Sequence, residues 1–345
     1  MYHPRRRLKT LKRESIFLFG FLVLCGAALF SISFGTADIS LGETARILIH
    51  RSHCANTTPA HIYIVWQIRI PRVLTAILVG MALATSGVVF QSLFRNPMAE
   101  PYILGVSSGA AFGVAFGAFI GVFLLIPGSW GVPLFAFMGA IGASSVIYML
   151  SGGMRSTTIS LLLSGVAMNY FLTALMSLFM YFNRDQLEDI IFWSMGSFSS
   201  ANWEKLMIVG PILLLGVLTL PYYHRELDLL LLGEETAKSI GLPIKRTRII
   251  LLVISTLLTA CAVSISGIIG FVGLVTPHVS RIIVGPSHKR LIPFTIIGGG
   301  LFTLISDTLS RGLLQNTEIP VGIITSLAGA PFFIYLLRKQ KKEFF

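Results

Sequence analysis

Leu229–Pro243 reads LLLLGEETAKSIGLP, with long apolar runs on both sides of it. Glu234 and Glu235 fall where a first helical turn would be, and acid there complements the positive end of the helix macrodipole. Lys238 lies near the other end, and Gly241 followed by Pro243 is a stop signal. The pattern predicts a short helix that cannot cross a membrane. Ala237 and Ile240, three residues apart, give it a small projecting apolar face. Because its flanks return to hydrocarbon-length segments, this helix is expected outside a bilayer. Two readings fit it: a knob for a partner's groove, or an ordinary amphipathic loop helix.

The flanks decide the class. The chain has 345 residues, 54% hydrophobic and 12% charged, with mean hydropathy +0.79. A soluble chain carries roughly 25% charged residues, so the deficit, spread over the whole length, means an all-α polytopic membrane protein. Arg5, Arg6, Arg7, Lys9, Lys12 and Arg13 precede an apolar run from Ile16 to Phe34. A signal peptide would look similar, and Gly35-Thr36-Ala37 loosely resembles a cleavage site. The run is long enough to span, so a retained first helix is expected. Residues 35–68 read as a loop with an interfacial helix, and Asn56-Thr57-Thr58 matches a glycosylation acceptor. Further spans are expected at about 69–92, 104–126, 132–150, 158–182, 204–222, 245–265, 267–284, 291–309 and 320–337. With the first they make about ten, in a single transmembrane domain covering 1–345.

Ten spans put both ends on one side, and the cations agree. Twenty of the 27 lysines and arginines fall on the side of the termini and the 229–243 connector, seven on the other. Positive charge marks the cytoplasm, so both termini and the connector are expected there. The formal net charge of +12 therefore reflects topology, and nucleic acid is not implied as a partner. Cys25, Cys54 and Cys261 are scattered and suggest neither a disulfide framework nor a metal site.

Gly105, Gly109, Gly113, Gly117 and Gly121 recur every fourth residue and predict close helix packing. Gly105-Val106-Ser107-Ser108-Gly109 matches the G-x-S-x-G elbow, but at the start of an apolar helix instead of a strand-turn-helix, so no nucleophile is assigned. No Gly-Lys dipeptide occurs, hence no P-loop; if ATP drives the protein, it and its Mg must be held by a separate subunit. Asn169, His278 with Arg281, and Asp307 are polar within apolar runs and need partners. Arg281 is expected to snorkel, and Asp307, nearly alone, argues against an ion-coupled secondary transporter. Arg69, Arg72 and Arg311 lie at outer span ends, against the positive-inside bias. Lipid headgroup anchoring and docking of an acidic partner through bidentate pairs are both open.

Four stretches together resemble the FecCD family of ABC-transporter permeases. They are WQIRIPR at Trp66–Arg72, running on to Ala110; GEETAKSIGLP at Gly233–Pro243; SGIIGFVGLVTPHVSRIIVG at Ser266–Gly285; and EIPVGIITSLAGAPFFIYLL at Glu318–Leu337. The resemblance implies the type II ABC importer permease fold and a homodimer of ten-helix subunits with the path at their interface. It implies a cytoplasmic ABC ATPase docked on coupling helices, matched here by Gly233, Glu234, Glu235, Thr236, Ala237, Ser239, Ile240 and Gly241. An extracytoplasmic binding protein would pair its acids with Arg69, Arg72 and Arg311, which favours docking over anchoring. Asn96, Met98, Thr157 and Thr158 match the cytoplasmic gate, the last two in a loop that departs in detail. The chain would then catalyse no bond chemistry and hold no cofactor. Ferric siderophore or haem is the first expectation for its metal-chelate cargo and cobalamin the second. An intramembrane enzyme would need a nucleophile–base or metal set that the sequence does not present.

Overall fold

The computed structural model describes residues 4–35, 37–50, 58–124, 126, 129–314 and 317–343, and every regular element among them is helical. The Asn56-Thr57 match and Cys54 lie outside the described residues. In chain order the helices are α1 (Pro4–Ser33), α2 (Leu41–His50), α3 (Pro59–Tyr63), α4 (Ile70–Leu93), α5 (Val106–Phe119) and α6 (Gly131–Leu150). Then come α7 (Thr158–Phe182), α8 (Leu187–Ser194), α9 (Trp203–Thr219), α10 (His224–Leu231) and α11 (Glu234–Ser239). The last are α12 (Ile244–Ser266), α13 (Val272–Val284), α14 (His288–Gly312) and α15 (Val321–Glu343).

Among the described residues, seven helical stretches are long and apolar enough to cross a membrane; Val106–Phe119, Val272–Val284 and Val321–Leu336 are apolar but shorter. The ten segments expected from sequence coincide with these, yet by length alone only the seven count as crossings. Several boundaries differ, α5 ending at Phe119 instead of 126 among them. The second span begins at Pro59, not residue 69, so part of the expected loop is helix. Residues 267–271 are not helical, which leaves α13 a short helix. Leu229–Leu231 belong to α10, so the connector helix itself is only Glu234–Ser239.

α4 is the mast. It is apolar on all faces, as a helix enclosed by others must be, and nearly all its residues from Val79 to Leu93 are buried. Glycines set how closely its neighbours approach. A Cβ at Gly80 would meet the backbone of Gly299 on α14, and one at Gly87 would meet the backbone of Gly273 on α13. Within the stripe, Gly109 and Gly113 lie against the Gly139 and Phe135 backbone of α6 as the spacing predicts, whereas Gly121 lies beyond the end of α5 and faces open space.

Between α3 and α4, residues Ile64–Arg69 form a π-helical stretch, where Ile70 N–H bonds to Val65 O five residues back. The next donor in that register is residue 71, a proline without an N–H. The stranded Trp66 carbonyl accepts from the Trp203 indole at 2.7 Å. The widened turn thus has an identifiable cause and ties α9 to the entry of α4.

Candidate functional site

The fold carries a polar layer at each end of the antiparallel pair α4–α14. At one end Arg72 donates to Asp307 (Nη2 to Oδ1 2.8 Å, Nε to Oδ1 3.0 Å) and to both oxygens of Glu318 at 2.9 Å. Arg311 Nε lies 3.2 Å from the other Asp307 oxygen. Two guanidiniums thus face two carboxylates, and Asp307, read from sequence as nearly alone, sits between them with a fully buried side chain.

Arg69 and Arg311 also finish α1. A helix leaves its last carbonyls without intrahelical donors. Arg69 donates to Ile32 O and Ser33 O (2.9 and 2.7 Å) and to Ala37 O. Arg311 donates to Phe34 O and Ser31 O (2.8 and 3.2 Å). Cations there also complement the negative end of the dipole. These contacts give the arginines against the charge bias an internal task, and they build α1 into the fold. All three are buried, at 4%, 6% and 7% exposure for Arg69, Arg72 and Arg311. Only Glu318, its side chain 41% exposed, brings the described part of this network to the surface.

At the other end Ser92 of α4 lies 2.7 Å from His288 Nε2 of α14, and His288 Nδ1 lies 2.6 Å from Asp228 of α10. This Ser–His–Asp chain is a tie, since Ser92 is 1% exposed and also donates to Val88 O. Nothing in the sequence spacing announces it. The two end layers are about 20 residues apart on α4, or about 30 Å, the thickness of a hydrocarbon core.

α10 leads into α11, which the sequence singled out. Gly233 at φ 109° and Gly241 at φ 90° bracket it. Its apolar ledge differs from expectation. Ala237 is fully buried, so it anchors α11 and does not project, while Ile240 and Leu232 are 61% and 62% exposed. Glu235, Thr236 and Ser239 are exposed; the side chain of Glu234 lies outside the described residues.

Arg95 Nη1 lies 3.7 Å from the Cβ position of Gly233, so the segment after α4 touches the connector. In that segment Asn96 is exposed and its Oδ1 accepts from Met98 N. Its far end holds the break between α12 and α13. Glu100 accepts from Phe271 N at 2.8 Å, and Tyr102 Oη donates to Ile269 O at 2.8 Å. Phe271 is left-handed, at φ 67°. Buried irregular backbone needs such internal partners. Thr157 is committed to a capping box with Ser160 at the start of α7, with Thr158 beside it. Asn169 and Arg281 have partners too: Asn169 accepts from Ser108 at 2.6 Å, and Arg281, expected to snorkel, reaches Gln91 at 3.1 Å.

A chamber of ≈ 770 Å³ opens near Glu318, lined by Ser197, Ser199, Ser264 and Ser266 with Asp189 and Lys205. The sequence did not identify it, because its walls come from separate stretches.

Comparison with known proteins agrees with this architecture. The FecCD transport family model matches residues 22–339. The hemin transport system permease protein HmuU of Yersinia pestis is 37% identical over 330 residues, covering 94% of this chain and 96% of that one. The cobalamin import system permease protein BtuC of Halobacterium salinarum is 42% identical over 279 residues, covering 81% and 74%. A solved metal-chelate type ABC transporter in an inward-facing conformation superimposes with TM-score 0.82 at 35% identity, covering 94% of this chain and 99% of that one.

Proposed function

The chain belongs to the FecCD transport family, and from that premise we propose that it moves an iron chelate, ferric siderophore or haem, across the bilayer at a homodimer interface, driven by a separate ATPase. Its place as an ABC importer permease carries the coarser part of this reading. The observation behind the coupling to a separate ATPase is the continuity from α11 to the break between α12 and α13: connector, Arg95, the 96–100 segment, Glu100, and the start of α13. A push on α11 reaches the gate candidates Asn96 and Met98 through that path. The Ser92–His288–Asp228 tie carries the same push to α4 and α14. The two states are biased by ATP at one end and by the loaded binding protein at the other. The homodimer reading is supported by α7, which leaves Leu163, Tyr170 and Tyr181 between 65% and 77% exposed on an apolar surface. The 770 Å³ chamber is of the size that small-ligand sites take.

Two variants test the partners. In proteoliposomes with the ATPase, Ile240→Asp puts a charge on the exposed ledge of α11; uptake is expected to fall at least tenfold, about 1.4 kcal/mol of docking, with the Tm unchanged. Uptake equal to the parent would remove the coupling role. Docking of the binding protein on Arg72 requires its acid to replace Glu318. Glu318→Gln is therefore expected to tighten that complex, measured by titration calorimetry; an unchanged or weaker Kd argues for a purely internal arginine. Cargo is read by fluorescence quenching of the binding protein with ferric siderophores, haem and cobalamin in parallel. Cobalamin alone would exchange the first reading for the second.

A further inference from the structure

A cleft along α12 is made of two cavities that share Ile249 as a lining residue. Its inner part, ≈ 300 Å³ between α6 and α12, is walled by Leu104, Ile141, Leu252 and Leu257. Its mouth, ≈ 1160 Å³ beside α11, gathers Lys238, Lys245 and Arg246, with Glu235 as the acid among its described lining residues. Lys245 and Arg246 are exposed, and they sit in the first turn of α12, where backbone N–H groups have no helical acceptor. Tyr148 lines the apolar part, and its hydroxyl is buried with no hydrogen-bond partner among the described residues. Such a phenol normally finds one. From Lys245 to Leu257 is about 18 Å of helix, close to half of a roughly 30 Å hydrocarbon core. The wall also opens sideways, with Val253 59% exposed.

We propose that this cleft binds one anionic phospholipid of the leaflet on the α11 side. Its phosphate lies on Lys245 and Arg246, an ester oxygen accepts from Tyr148, and one acyl chain fills the slot along α12. Charge selects the headgroup, because basic pockets between membrane helices attract anionic lipid. A free phosphate would occupy only the mouth and leave the phenol and the slot unfilled. A neutral lipid would bring no net charge to Lys245 and Arg246.

Full-length protein in detergent, titrated with dioleoylphosphatidylglycerol or dioleoylphosphatidylcholine and followed by native mass spectrometry, tests this. The anionic lipid is expected to be retained preferentially. Lys245→Ala with Arg246→Ala, both at exposed positions, is expected to weaken phosphatidylglycerol retention roughly thirty-fold and leave phosphatidylcholine as before. Val253→Trp, which narrows the slot without changing charge, is expected to weaken both. Equal retention of the two lipids, or retention indifferent to the Lys245 and Arg246 changes, overturns the proposal. So does displacement of phosphatidylglycerol by inorganic phosphate at equal concentration, which would mark an anion site without a lipid.

Discussion

Asp307→Ala is expected to destabilise the fold by about 3–5 kcal/mol, because it strands two buried cations. Arg72 and Arg311 are 6% and 7% exposed, and after the change only Glu318 would face them. Removing one partner from a buried ionic network costs far more than the network contributes over an apolar equivalent, since the remaining charges keep their desolvation cost. Thermal unfolding in detergent measures it. Glu318→Gln is the control: its side chain is 41% exposed, so solvent screens the loss and about 1 kcal/mol or less is expected. Adding Arg72→Met to Asp307→Ala is expected to recover part of the loss. Equal costs for Asp307→Ala and Glu318→Gln would mean that burial does not set the strength of this network.

Gly80→Ala is expected to destabilise by about 1–3 kcal/mol, against the sign that helix propensity predicts. In an open helix interior, glycine to alanine gains up to about 1 kcal/mol. At Gly80 the new methyl would meet the Gly299 carbonyl and the Thr303 hydroxyl, so α4 and α14 must separate where Thr303 donates to Ala76 O at 2.8 Å. Gly142→Ala on α6, with nothing within 4 Å of its Cβ position, supplies the opposite sign. Unfolding midpoints that move the same way for both variants would show that backbone approach is not what Gly80 provides.

The sequence alone carried the class, the ten apolar segments, the connector between glycines 233 and 241, the α5 stripe and the family resemblance. These are local: apolar length, macrodipole complement, turn glycines and a four-residue repeat all lie within one stretch of chain. What tertiary structure decided was which groups meet. Asp307 looked isolated because Arg72, which donates to it through two nitrogens, is 235 residues away, although Arg311, one helical turn on, is a partner the local spacing already offered. Arg69 and Arg311 looked free for an outside partner because spacing does not show that the carbonyl end of α1 lies beneath them. Ala237 looked like part of a projecting face because periodicity assigns residues to a face without saying which way it turns, and here α11 turns it inward. The spacing around Gly80 and Gly87 does not name their neighbours, since each matches a glycine on a different helix. Local pattern can specify an element because its hydrogen bonds and solvent preference are satisfied within it, whereas a charge's partner or a glycine's neighbour exists only once distant helices have packed.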